Sequence, residues 1–166
     1  MITIIAGTNR KGSNTKKVAE AYNKILLSKN IEAKILGLDE ADVYQRNDAF
    51  AAMENEYLLA AEKLIIVMPE YNGSFPGVLK LMIDNTDVKN VWPNKKILLV
   101  GVSTGRAGNL RGMEHLTGVL LYLKANVHHN RLPISVVHTL INENSILSDE
   151  STISTINTQI DEFLLF

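Results

Sequence analysis

The chain has 166 residues, 46% hydrophobic and 21% charged, a balance that excludes disordered and collagen-like classes and fits one domain spanning residues 1–166. Its 17 basic and 18 acidic residues leave a formal charge of -1, without the basic excess that nucleic-acid binding calls for. There is no cysteine, which removes thiol nucleophiles, disulfide frameworks, zinc fingers and iron–sulfur clusters.

In chain order, Ile2–Ala6 is a short apolar run ending at Gly7 and predicts a buried strand. After the polar stretch Thr8–Ser13, apolar residues recur at Val18, Tyr22, Ile25 and Leu26, the spacing of one helical face. Ala33–Leu38 predicts a second strand, Ala49–Ala61 a helix, and Leu64–Met68 a third strand stopped by Pro69. Pro76 suits the first turn of a helix whose apolar face is Val78, Leu79, Met82 and Ile83. Asp87–Lys96 reads as a polar connection. Ile97–Val102 is the strongest strand signal, followed by a glycine-rich loop and a helix from about Arg111 to Lys124. Ala125–Leu132 is a weaker fifth strand, and Ile153, Ile156, Ile160, Phe163 and Leu164 mark a final helix capped within Ser148–Thr152.

Strands alternating with helices, with near-continuous apolar strands, imply an α/β fold with a parallel sheet covered on both faces. The longest apolar run falls far short of the about 20 residues a bilayer-spanning helix needs. The N-terminus MITIIAGTNRKG lacks the basic and apolar regions of a secretory signal. A cytoplasmic chain with no membrane partner is therefore expected.

In such sheets ligands bind beyond the carboxyl ends of the strands. Three loops leave strand ends there, Gly7–Thr15, Pro69–Pro76 and Ser103–Gly112. The first, GTNRKGSNT, precedes a helix, whose N-terminal amides suit a phosphate. Thr8, Ser13, Asn14 and Thr15 add side-chain donors and Arg10 a charged fork, although a plain capped turn also explains the pattern. Asn9 breaks the dinucleotide fingerprint, and Ser13 stands where a P-loop carries lysine. In the second loop Gly73 and Gly77 allow close backbone approach. Gly101-Val102-Ser103-Thr104-Gly105 matches the nucleophile elbow G-x-S-x-G and raises a serine hydrolase using Ser103 as a rival. Against it, Glu114 is the only acid between Ser103 and His138, and no HGGG segment precedes it. His128 and His129, adjacent on a strand, are expected to face opposite sides, so no metal site is expected.

Together the three loops resemble the NADPH-dependent FMN reductase family. Its G-S-x-R-x-x-S loop is matched by Gly7, Thr8, Arg10 and Ser13. Its P-x-Y-N-x-S-x-P-G-x-L-K loop is matched by Pro69, Tyr71, Asn72, Ser74, Pro76, Gly77, Leu79 and Lys80, and its S-x-G-x-x-G-G loop by Ser103, Gly105 and Gly108. Asn109 departs from the last glycine, which implies a less close backbone approach there. Leu81, Met82 and Asn85-Thr86 also depart, in positions that touch helix packing or an oligomer surface.

The resemblance implies a flavodoxin-like three-layer αβα sandwich with a five-stranded parallel sheet. It implies FMN, with its phosphate on Thr8, Arg10, Ser13, Asn14 and Thr15. The ring would lie against Pro69, Glu70, Tyr71, Asn72 and Gly73, bordered by Ser103, Thr104, Gly105 and Gly108. Tyr71 can alternatively be a packing residue. The implied reaction is hydride transfer from NADPH or NADH to the flavin N5, then reduction of a small-molecule electron acceptor: free flavin, a quinone, an azo compound or a metal ion. No catalytic side chain is required, because the cofactor carries the chemistry. Family members associate, so a homodimer or homotetramer is expected. A non-enzymatic FMN electron carrier is the alternative, disfavoured by Arg10, Lys11, Lys16 and Lys17 beside the phosphate loop, where such carriers are acidic.

Overall fold

Apolar residues at consecutive positions leave a strand no polar side to turn to water, so both faces must be covered. In the computed structural model, which describes all 166 residues, β1 (Ile2–Ala6), β2 (Ala33–Gly37), β3 (Lys63–Pro69) and β4 (Lys96–Val102) pair side by side, all parallel, in the order 2-1-3-4. Helices α1 (Asn14–Ser28), α2 (Asp48–Met53), α3 (Gly77–Asn85), α4 (Leu110–Tyr122) and α5 (Glu150–Leu165) flank them. Alternation along the strands divides the core. Ile4, Ile65, Val67, Leu98 and Val100 pack with Val18, Tyr22 and Leu26 of α1 and Ile156, Ile160 and Phe163 of α5. Ile5, Leu64, Ile66, Met68, Ile97 and Leu99 pack with α2, α3 and α4 through Phe50, Leu79, Met82, Met113 and Leu116. This is the flavodoxin-like αβα sandwich. The chain crosses from one face to the other between β1 and β3, where the order of connection reverses.

The structure differs from expectation in four places. The fifth strand is two short pieces, β5 (Asn126–Val127) and β6 (Leu132–Ile134), both paired with β4. Val127 faces Ile97 and Leu132 faces Val100, so five steps on the edge lie against three on β4, and the surplus forms a bulge. The expected helix Ala49–Ala61 is α2 followed by a wider π-helical turn over Glu54–Leu59. At that junction the buried Glu54 carboxylate accepts both Arg46 guanidinium nitrogens, at 2.9 and 2.7 Å, and the Asp87 amide at 2.6 Å. Pro76 is the N-cap residue of α3 rather than its first turn, with extended backbone at ψ 142°. Finally, Asp87–Lys96 is not simply polar. It buries Val91 and Trp92, and the Trp92 indole donates to Thr86 Oγ1 at 2.7 Å.

Helix ends follow their local chemistry. Ser13 caps α1 by accepting from the Lys16 amide, and Asp149 caps α5 by accepting from Thr152. No helix is long and apolar enough to cross a membrane.

Candidate functional site

The carboxyl ends of β1, β3 and β4 converge on a groove of about 350 Å³, and all three unusual loops reach it. Its walls are Arg10, Ser13, Asn14, Thr15, Pro69, Glu70, Tyr71, Ser103 and Thr104 from the expected set, with Lys11, Gly12, Val102 and Val137 besides.

The first loop is an open cradle. The backbone N–H groups of Lys11, Gly12, Ser13, Asn14 and Thr15 have no acceptor within the protein, and the last two begin α1. Unsatisfied amides at the positive end of a helix form an anion site. Gly12 makes the turn with φ 64°, a left-handed conformation that glycine adopts without steric cost. Arg10 and Lys11 supply positive charge at the rim. Lys16 and Lys17, expected beside this site, are not there. The Lys16 ammonium is drawn off to Asp39 (3.1 Å) and Glu40 (2.6 Å), which raise its pKa, and Lys17 lines a separate groove between α1 and α5.

Thr8 lies beneath the cradle, fully buried. Its hydroxyl meets the Tyr71 hydroxyl at 2.5 Å and accepts the Arg10 amide at 3.2 Å. The Arg10 guanidinium lies over the Tyr71 ring, 4.2 Å from its centroid. Tyr71 therefore both packs and lines the groove. It opens a tight hairpin, exchanging backbone bonds with Ser74 at 2.9 and 3.1 Å. Asn72 (φ 52°) and Gly73 (φ 76°) form its tip, the pairing of left-handed residues that a two-residue turn demands. That tip is not part of the groove wall. A Cβ on Gly73 would stand 2.8 Å from the Arg111 guanidinium, and Ser74 Oγ lies 2.9 Å from His115 Nδ1, so α4 backs the hairpin.

In the third loop the Ser103 hydroxyl donates to the Gly105 carbonyl (2.9 Å) and accepts the Gly108 amide (3.0 Å). No histidine hydrogen-bonds to it, so Ser103 closes a turn and is not poised as a nucleophile. Gly105 and Gly108 support this turn from behind rather than line the groove. Gly108 is packed against Pro133, and a Cβ on Gly101 would collide with the Gly108 carbonyl. Asn109 is buried beside this turn. It adopts a left-handed conformation (φ 63°) and turns its side chain inward, where Nδ2 donates to the carbonyls of Met68 (3.2 Å) and Pro69 (2.9 Å). Two wall residues were not among the expected ones: Val102, the last residue of β4 and an unspecified position of its motif, and Val137, whose amide bonds to the Ser103 carbonyl from the turn after β6. Only the strand periodicity pointed to the first, and nothing local to the second.

The profile of the NADPH-dependent FMN reductases matches residues 1–138. The chain belongs to this family. It is an oxidoreductase by that membership. A 2-hydroxy-1,4-benzoquinone reductase of Burkholderia sp is 29% identical over 98% of this chain and 93% of its own. A quinone reductase of Escherichia coli strain K12 is 34% identical over 76% of this chain and 72% of its own. Among solved structures, a flavoenzyme NAD(P)H:(acceptor) oxidoreductase from Paracoccus denitrificans superposes with a TM-score of 0.83 at 20% identity, covering 98% of this chain and 93% of that one, and so shares the fold. An archaeal flavodoxin reaches 0.58 at 14% identity over 95% of this chain and 92% of its own.

Proposed function

We propose that the groove binds FMN and that the chain transfers reducing equivalents from NADPH or NADH to a quinone. The observation that carries this reading is the run of five unpaired amides from Lys11 to Thr15, at a helix N-terminus beside Arg10. A terminal phosphate fits that donor set, since it offers enough acceptor oxygens for several N–H groups and a guanidinium fork. The flat ring would lie along Pro69, Glu70 and Tyr71, with Ser103 and Thr104 at its other edge. Asn72, Gly73, Gly105 and Gly108 act here by shaping those walls.

Held there, FMN would supply the redox chemistry that links nicotinamide oxidation to reduction of the second substrate. The protein's own residues bind and orient. Arg10 and the cradle fix the phosphate end, and the Thr8–Tyr71 hydrogen bond fixes the hairpin against the cradle. No side chain in the groove is held as a general acid or base. A quinone is favoured as acceptor because relatives across most of the chain are named for quinones. The chain works as one domain, and a homodimer or homotetramer is supported by exposed Tyr122 and Val88, which line a groove between α3 and α4.

The test is an FMN titration of the purified chain followed by NAD(P)H oxidation with benzoquinone as acceptor. FMN should bind at one per chain and oxidation should depend on it. Arg10→Ala should weaken FMN binding by about ten- to a hundredfold, the worth of one charge-assisted hydrogen bond. Absence of FMN binding, or unchanged affinity in the variant, would overturn the assignment.

A further inference from the structure

The bulge between β5 and β6 builds a second cluster, at the edge of the sheet. It lies about 16 Å along β4 from the groove, at the rise of a parallel strand. Strict alternation would send His128 and His129 to opposite faces, but the two surplus residues bend the chain there. Their rings instead lie 4.5 Å apart between centroids, inclined by 36°. Glu162, near the end of α5, faces them. One ligand atom from each of the three lies within 4.8 Å of the others.

We propose that His128, His129 and Glu162 form a binding site for a divalent transition-metal ion of the zinc class. Two imidazoles and one carboxylate are a borderline donor set that suits zinc, whereas magnesium and calcium prefer oxygen alone. Zinc–ligand bonds of about 2.0–2.1 Å in tetrahedral geometry place neighbouring ligand atoms about 3.3 Å apart. Closing from 4.8 Å is a movement that the side chains of His129 and Glu162, both exposed, can make.

His128 is the fixed member. It is buried against Phe163 and Phe166, which hold its ring in place. Its Nδ1 accepts the Asn130 amide at 3.3 Å, a long bond that a metal ion can replace at small cost.

Outer contacts orient the set. Asn130 Nδ2 donates to Glu162 Oε2 at 2.7 Å, leaving the other carboxylate oxygen for a metal, and the buried Gln159 donates to the Asn130 carbonyl at 2.7 Å. The neighbouring cation, Lys63, opposes a metal, but its ammonium is committed to the carbonyls of Phe163 (2.9 Å) and Leu164 (2.7 Å). A bound ion would clamp the edge strand to α5, leaving a fourth position open to water.

The experiment uses the untagged full chain, stripped of metal and saturated with FMN, titrated with zinc by calorimetry. One zinc should bind per chain. H129A and E162Q should each weaken it at least about tenfold, while H138A, in a separate turn, should not. Zinc should also protect His129, but not His115 or His138, from diethyl pyrocarbonate in the unaltered chain, a measurement that needs no variant to fold. Absence of saturable binding by about 0.1 mM zinc, or undiminished binding in both variants, would overturn the proposal. FMN binding should be the same with and without zinc, so failure here is separable from failure of the flavin site.

Discussion

Asn109 is a test of whether the third loop is held by side-chain hydrogen bonds or by backbone shape alone. Its amide donates to two carbonyls at the end of β3, joining the start of the Pro69 loop to the start of α4. Asn109→Gly removes both bonds, at about 1 kcal/mol each, while keeping a residue that accepts φ 63° freely, so a loss of about 2 kcal/mol is expected. Asn109→Ala loses the same bonds and adds about 1 kcal/mol for placing alanine in the left-handed region, giving about 3 kcal/mol. Asn109→Asp keeps the shape but sets a buried carboxylate against two carbonyl oxygens, and should cost more than alanine. Urea unfolding followed by the fluorescence of Trp92, the one tryptophan, gives the order wild type, Gly, Ala, Asp. In thermal melts the alanine variant should fall by about 6–12 °C, at about 2–4 °C per kcal/mol for a chain of this size. If Gly and Ala both lie within about 0.5 kcal/mol of wild type, the bonds do not hold the loop. If Ala is the more stable of the two, the left-handed backbone is not the constraint.

Two further outcomes follow from buried or capping polar groups. Thr86→Val keeps the shape but strands the buried Trp92 N–H, and should lower stability by about 1–3 kcal/mol with a changed Trp92 emission; an unaltered urea midpoint would refute the role given to Thr86. Asp149, whose carboxylate accepts from both the amide and hydroxyl of Thr152, has a pKa held below the usual 3.8 by those bonds. A folded pKa below the unfolded one stabilises above 3.8 and loses that stability as pH falls through the folded value. Wild type should therefore exceed Asp149→Asn in urea midpoint at pH 6, and the gap should close below 3.8; a gap independent of pH would contradict the assignment.

The sheet was legible because β1, β3 and β4 are continuous apolar runs, and burial on both faces admits one kind of neighbour arrangement. The split of the fifth strand was not. Its bulge depends on Gln159 and Glu162, some 30 residues onward, gripping Asn130, and no local pattern encodes that. The π-helical turn likewise follows from Glu54 meeting Arg46 and Asp87 across the fold. In the groove, loops rich in glycine and small polar residues marked themselves, yet their composition did not separate wall from support. Gly105 and Gly108 hold the Ser103 turn from behind, and Asn109 holds the loop from inside. Charge misled more simply. Lys16 adjoins the phosphate loop in sequence, but Asp39 and Glu40, just past the carboxyl end of β2, take its ammonium.

The coupling of the first two loops bears on how an anion would be received. The Arg10 guanidinium carbon lies over the Tyr71 ring, 4.2 Å from its centroid. The guanidinium N–H groups point outward in the plane of the group. The group has five N–H donors, more than one ring contact can occupy, so Arg10 can engage a phosphate in the cradle without leaving the ring. Tyr71 is itself tied to Thr8 beneath the cradle, which restrains the contact from below. Less side-chain freedom remains to be lost when a ligand arrives, and the ordering cost of a mobile arginine, about 0.5–1.5 kcal/mol, is largely met in the fold.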